Sequence, residues 1–362
     1  MRKILIISFT SGQKYTGGLQ CSRRNIESIE KIFGRENVIT HIIEPYPVKR
    51  NFKIILRRAF DALHGYMGGM NSSLKRYLLR TIDEKSITDV FIDSSLLGSF
   101  AKSVKKRFKD VRVTTFFHNI EKEFIRDFIS VNRDYFRWYW IPSTDHNEKC
   151  AVKYSDEIIA LNQRDAKSIK KYYGRDPRFL IPITLRENTS PIRNASLPNE
   201  RTKALFIGSY FFANVQGITW FVSNVLPHIN IKLNIVGASM DLLPKEIVEN
   251  EKIEVHSNVP DLAPFYEDAD FVILPIFSGS GMKVKTAESL MHGKYIIGSQ
   301  EAFTGYDMSA DEATACNTAE EFISAINSFS RPTKFNKASY DLYLEKYSFE
   351  SSLKLFKKAL NF

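Results

Sequence analysis

The sequence predicts an α/β protein made of two parallel-sheet units of Rossmann type. Three observations predict it. Short apolar runs of strand length alternate with amphipathic helical stretches throughout, and that alternation yields parallel sheets covered by helices on both faces. The 362 residues exceed what one core usually organises. A polar stretch with two prolines, LRENTSPIRNASLPNERTK at 185–203, separates two similar halves. The expected divisions are a first unit over 1–184, a linker over 185–202, a second unit over 203–338 and a helical C-terminal stretch over 339–362.

In the first half, Ile4–Ser8, Val38–Ile43, Val90–Ser94, Val113–Phe117 and Ile158–Leu161 read as strands. In the second, Ala204–Ile207, Lys232–Val236, Ile253–His256, Phe271–Pro275 and Tyr295–Gly298 do so. Tyr340–Leu360 has the spacing of an amphipathic helix. Two such halves place a ligand in a cleft, outside the carboxyl ends of the strands.

Composition narrows the setting. No apolar run approaches the roughly 20 residues that span a bilayer, and the opening MRKILIISF reads as a strand, not a signal peptide. Cys21, Cys150 and Cys316 lack metal or redox spacing, which fits a reducing cytoplasm. The net charge of +10 is lopsided: residues 1–200 carry +14 and residues 201–362 carry −4. A polyanionic surface met by the first unit is expected, lipid or nucleic acid.

The most informative stretch is FSGSGMKVKTAESLMHG, Phe277–Gly293. It follows the strand-like FVILPI and opens into a helix. A Gly-rich turn at such a junction points N–H groups and a helix dipole at an anion. Lys283 and Lys285 add charge suited to a diphosphate, and Glu288, one turn in, suits ribose hydroxyls. Leu205–Ser209 is a second strand followed by a Gly-Ser turn, with Asn214 and Gly217 after it. Thr16-Gly17-Gly18 before a helix reads either as a plain loop or as a close backbone approach to phosphate or sugar. His118 follows a strand in FFHNIE.

Together these segments resemble the GT-B glycosyltransferases of the retaining family 4 type. The resemblance runs from Thr16 to the final helix, and its specific part is Gly281–Gly293. It implies two Rossmann-like domains facing a central cleft, with the final helix crossing back to the first. It implies no cofactor and a nucleotide-diphosphate sugar donor, UDP ahead of GDP. His118 would lie beside the transferred sugar. Gly17, Gly18, Gly208, Ser209, Gly237, Ser280, Gly281, Met282 and Glu288 would line the donor, with Val259 receiving the base through main-chain atoms.

Two departures stand out. The first carboxylate of the Glu-x7-Glu signature is replaced by Ser280. No cation lies between Lys203 and Lys232 to neutralise the diphosphate, which leaves that task to Lys283 and Lys285. Metal-independent transfer is therefore expected, with no metal ligands assigned.

Glu121 and Glu123 read either as acceptor-side groups or as solvated helix charges. Arg50–Phe60 puts Phe52, Ile55, Leu56, Ala59 and Phe60 on one helical face and Arg50, Lys53 and Arg57 on another. Ser99–Lys109 is rich in lysine. Both read either as lipid-docking helices or as domain helices with solvated basic faces. The aromatics of Tyr135–Trp140 suit an interface, a core or an acceptor pocket.

The expected function is sugar transfer to a glycan or lipid-linked acceptor in bacterial surface polysaccharide assembly, at the inner face of the plasma membrane. Two alternatives stay open: a nucleotide-sugar 2-epimerase of the same fold, and a basic nucleic-acid-binding protein. Against the latter, the aromatics do not interleave with cations as a stacking platform requires.

Overall fold

A computed structural model describes residues 2–9, 17–44, 52–132, 140–187, 201–279, 281–330 and 333–362. The chain divides into two compact units, Met1–Pro182 with Ser352–Phe362, and Ile183–Ser351.

The first unit is built on a six-stranded sheet in the order β2-β1-β3-β4-β5-β6. The strands are β1 Ile4–Phe9, β2 Val38–Ile43, β3 Asp89–Ile92, β4 Arg112–Phe117, β5 Glu157–Ala160 and β6 Phe179–Leu180. All neighbours pair in parallel, with Ile4 opposite both Val38 and Asp89. Ile4–Ile7 and Asp89–Ile92 are buried throughout, as expected for strands covered on both faces. The helices are α1 Gly17–Phe33, α2 Phe52–Leu63, α3 Ser72–Glu84, α4 Gly98–Arg107, α5 Glu121–Asn132, α6 Trp140–Tyr154 and α7 Gln163–Tyr173.

Local chemistry explains their limits. Asn162 caps α7 by accepting the Asp165 N–H, and Gly174, at φ 76°, ends it after Lys170 and Lys171. Helix α4 lies so close to α6 that a Cβ on Gly98 would sit 1.9 Å from the Asn147 carbonyl oxygen.

The second unit repeats the plan in the order β12-β11-β10-β7-β8-β9. Its strands are β7 Lys203–Ile207, β8 Lys232–Gly237, β9 Ile253–Ser257, β10 Phe271–Leu274, β11 Tyr295–Gly298 and β12 Ala313–Ala315. Its helices are α8 Phe212–Asn224, α9 Lys245–Val248, α10 Ala263–Asp268, α11 Val284–Met291, α12 Ala319–Asn327 and α13 Lys337–Leu342, and α14 Phe349–Ala359 starts in this unit and continues into the first. A capping box between Thr318 and Glu321 starts α12.

The stretch expected to be a linker begins as packed structure. Leu185 bridges Ser348, and Glu187 accepts the Tyr340 hydroxyl at 2.8 Å; residues 188–200 lie outside the described residues. The expected single C-terminal helix is two helices joined by a π-type turn over Tyr343–Tyr347. Residues 337–351 pack with the second unit, and residues 352–362 belong to the first. There Phe356 is fully buried beside Phe91 and Phe116, with ring centroids 6.3 and 6.4 Å away.

Candidate functional site

In an open α/β sheet the strand order reverses at one point, and the carboxyl ends of the strands there form the natural crevice. In the second unit the reversal lies between β7 and β10. The turn after β7 and the Gly-rich loop after β10 therefore share one sheet edge, although they are far apart in sequence.

Gly208 follows β7 directly, and its N–H donates to Val236 O at 3.0 Å. Gly237 packs against this turn: a Cβ on it would lie 1.7 Å from Gly208 O, and its φ is 151°. Gly237 is thus required by backbone packing. The next connection is tied to it, since Asn258 N–H donates to Gly237 O at 3.1 Å and Ser239 N–H donates to Asn258 Oδ1 at 3.1 Å. Val259, half-buried, follows directly on this braced loop.

Lys285, in the first turn of α11, reaches across to the β7 turn. Its ammonium donates to Asn214 Oδ1 at 2.5 Å and lies 4.9 Å from the Phe206 ring centroid. Asn214 Nδ2 in turn donates to Ser209 O at 2.8 Å. A Cβ on Gly208 would stand 3.2 Å from Lys285 Nζ. The cation missing from the Gly208–Ser209 turn is thus supplied by a side chain from α11. Burial lowers the Lys285 ammonium to about 7; Glu288 works against the shift and Lys283 adds to it. Glu288 stands one turn further along α11 and is partly exposed.

Lys283 lies at the N-terminal boundary of α11. Its ammonium donates to Glu301 Oε1 at 2.8 Å, to Gly281 O at 3.0 Å and to Gly279 O at 3.3 Å. It stitches the loop together and is balanced by a carboxylate. Gly279 and Gly281 have φ of 106° and 68°, a region suited to glycine. The Met282 side chain is buried. Ser280 lies outside the described residues.

In the first unit the order reverses between β1 and β3. Here a polar cluster occupies the carboxyl ends. Asp93, one residue past β3 and with a fully buried side chain, receives Ser8 Oγ at 2.6 Å and Asn25 Nδ2 at 2.7 Å. His118 Nε2 lies 3.0 Å from both Asp93 Oδ1 and Asp93 O. Arg24 Nη2 lies 3.2 Å from Cys21 Sγ and Nη1 donates to Pro182 O at 2.8 Å. Burial pulls His118 down, but Asp93 and Cys21 outweigh it and hold the imidazole well above its usual value. Burial raises Asp93, but the charge and hydrogen bond of His118 reverse this.

Beyond His118, Glu148 of α6 caps α5, accepting the Glu121 N–H at 2.9 Å and the Tyr173 hydroxyl at 2.6 Å. Burial and the proximity of Glu148 raise Glu121 to about 7, and burial raises Glu148 to about 7. Glu123 accepts Ser168 Oγ at 3.1 Å. Gly17 begins α1, and a Cβ on Gly18 would meet nothing within 4 Å; Thr16 lies outside the described residues.

Of the expected residues, Gly208, Ser209, Lys285 and Glu288 come together, with Gly237 bracing them. Gly281, Met282 and Lys283 form the adjoining loop. Gly17, Gly18 and His118 belong to the first unit. Asp93, Ser8, Asn25 and Glu301 join the expected residues at these two sheet edges. Asp93 was hidden because the apolar run was extended through it to Ser94.

Asp268-Ala269-Asp270, an Asp-x-Asp triplet, precedes β10. Asp268 pairs with Lys203 at 2.8 Å, and Asp270 accepts the Lys203 N–H at 2.7 Å. Both sit at the amino end of the strands, away from the Gly-rich loop. Among the described residues no group of three His, Cys, Asp or Glu side chains is arranged for a metal.

Residues 201–330 match the family model described as "Glycosyl transferases group 1". Solved structures of the same architecture include HepE of Anabaena in complex with UDP (TM-score 0.69, 11% identity) and the lipopolysaccharide outer core galactosyltransferase WaaB (TM-score 0.68, 12% identity), each matched over 99% of both chains. Sucrose-phosphate synthase from Thermosynechococcus elongatus matches at TM-score 0.67 and 10% identity, over 99% of this chain and 98% of that one. No curated protein sequence matches the chain significantly. The fold is the GT-B glycosyltransferase fold. The segment similar to group 1 glycosyl transferases lies within the second unit.

Proposed function

We propose that the protein transfers a sugar from a nucleotide-diphosphate sugar to a hydroxyl acceptor, with retention of configuration and without a metal. The observation that carries the reading is the Lys285 ammonium beside Gly208, at the crevice end of the second sheet. Breaking a glycosidic bond leaves negative charge on the departing diphosphate. A cation and N–H groups fixed in advance around that charge lower the barrier. The ammonium and the start of α11 supply what a divalent cation supplies elsewhere. Structures of HepE in complex with UDP and with UDP-glucose support a uridine donor.

The acceptor is read as a lipid-linked glycan of surface polysaccharide, reached at the inner face of the plasma membrane. Helix α2 supports a peripheral location: Leu56, Phe60 and Leu63 are 54, 60 and 86% exposed, with Arg57 exposed among them. Apolar side chains beside a cation suit shallow insertion into an anionic surface. Arg50, Asn51 and the side chains of Phe52–Ile55 and Ala59 lie outside the described residues, as do residues 133–139. Helix α4 contributes less than its composition implied. Lys105 is paired with Asp156 at 3.1 Å and Arg107 with Asp83 at 3.1 Å. No helix among the described residues is long and apolar enough to cross a membrane.

Thermal shift and calorimetry with UDP, GDP and ADP test the donor reading. A nucleotide at 100 times its Kd adds about 2.7 kcal/mol of stability. UDP is expected to stabilise the wild type and to bind Lys285→Ala much more weakly, with or without EDTA. Equal affinity for both proteins, or binding that needs added metal, would overturn it. Flotation with vesicles containing phosphatidylserine tests the location, with Leu56→Ser/Phe60→Ser expected to stay unbound. Salt-sensitive binding to RNA with no binding to those vesicles would favour the nucleic-acid reading instead.

A further inference from the structure

The group 1 match covers only the second unit, yet the first unit has its own polar cluster at a sheet reversal. Asp93 is the hub of that cluster. Ser8 from β1, Asn25 from α1 and His118 from the end of β4 all converge on its carboxylate, at 2.6, 2.7 and 3.0 Å. Hydrogen-bonding groups from three elements fix one buried carboxylate, with Ser22 of α1 adding to Asn25. Asp93 O adds a second acceptor 3.0 Å from His118 Nε2, so Nε2 is a donor to both. The other ring nitrogen, Nδ1, is buried and has no hydrogen-bond partner among the described residues. The ring retains 17% exposure of its side chain. Nε2 is thus committed to Asp93, while Nδ1 is the ring nitrogen left without a hydrogen bond among the described residues.

We propose that Asp93 is a positioning residue: it locks His118 as a fixed imidazolium that offers positive charge to a substrate oxygen and does not shuttle protons. The groups facing the imidazole are consistent with this. Asp93 supplies the counter-charge past β3, and Cys21 of α1 acts in the same direction. Arg24, also of α1, is directed at Cys21 Sγ and Pro182 O. Glu121 at the start of α5 interacts favourably with the imidazolium, while Glu148 of α6 acts on Glu121. The Phe116 ring lies 5.0 Å from the imidazole and makes the surroundings apolar, a setting in which an unpaired cation would be neutralised.

The activity arm of the test rests on the glycosyltransfer reading; the spectroscopic arm does not. NMR of histidine-labelled protein follows the seven imidazoles, with His118→Gln identifying the signal. In the wild type His118 is expected to stay protonated well above pH 6.5, with one fixed tautomer-free pattern. In Asp93→Asn it should titrate at or below the ordinary value of about 6.5. Turnover of the variant should then be lost about thirtyfold at pH 8, the protonated fraction expected 1.5 units above that value, and recover as the pH falls. UDP affinity should not change. Asp93→Glu should restore part of the turnover at pH 8. A wild-type His118 that titrates near 6.5 would overturn the proposal, and so would an Asp93→Asn pH profile parallel to that of the wild type. If Asp93→Asn does not fold, the wild-type titration alone decides. Failure of the wild type to bind UDP would sink the donor reading and leave this one standing.

Discussion

A methyl group placed on residue 208 probes the donor site without removing any charge. The backbone of Gly208 is not in the left-handed region, so alanine can adopt it. The obstacle is its surroundings: an ideal Cβ stands 2.9 Å from Asn214 Nδ2, 3.0 Å from Asn214 Cγ and 3.2 Å from Lys285 Nζ. Optimal carbon contacts lie near 3.5–4.0 Å, so the amide and the ammonium must both withdraw by roughly half an ångström. That displacement breaks the 2.5 Å bond between them or moves the pair away from the turn. A charge-assisted contact to phosphate contributes about 1.5–3 kcal/mol. At 1.4 kcal/mol per tenfold, Gly208→Ala should weaken UDP binding about ten- to hundredfold. Calorimetry measures it, with melting temperature as the check on folding. A folded Gly208→Ala protein with wild-type affinity would refute the placement of the diphosphate beside this turn. Gly237→Ala should behave differently. Its Cβ would meet Gly208 O at 1.7 Å at a φ of 151°, and loss of folded protein is expected.

Lys285 makes binding depend on pH. Its ammonium titrates at about 7 in the free protein and must be charged to hold a diphosphate. UDP affinity should therefore fall as pH rises above 7, by up to about tenfold per unit, with proton uptake visible as a buffer-dependent binding enthalpy; a flat profile from pH 6 to 9 would contradict this. Glu288→Ala should weaken nucleotide-sugar binding while the melting temperature holds, and calorimetry showing unchanged affinity would remove Glu288 from the site. Glu121 tests the first unit. Its folded value of about 7 lies above the ordinary 4.5, so its protonated form fits the fold. That contribution is present below 4.5 and lost as pH rises through 7. Glu121→Gln should raise the melting temperature at pH 8 and leave it unchanged at pH 4; the reverse order would mean the carboxylates do not repel.

Much of this architecture can be read from the chain because parallel strands are nearly continuous apolar runs. The strands near Ile4, Val38, Val113 and Tyr295 announce themselves in that way. Phe179–Leu180 and Ala313–Ala315 do not, being two and three residues long; pairing to an existing edge defines them. The Gly-rich loop and Lys285 were legible because their spacing along one turn and one helix is local. Asp93 was not, since its meaning comes from lateral strand order, which sets Ser8 and His118 on either side of it. The same holds for Lys283. Its lysine was visible, but its partner Glu301, arriving from beyond β11, was not.

The junction in α14 has a consequence for how the protein is made. Phe349, at its start, lies under the Arg186 guanidinium in the second unit, while Phe356, two turns on, completes the aromatic core beside Phe91 and Phe116. Arg112 then clamps the end of the helix through Ala359 O at 3.0 Å. The unit that leaves the ribosome first is therefore finished last. Until residues 352–362 emerge, the face of its sheet bearing Phe91 and Phe116 lacks its aromatic cover, and a nascent or truncated chain carries that apolar surface open to chaperones or to aggregation.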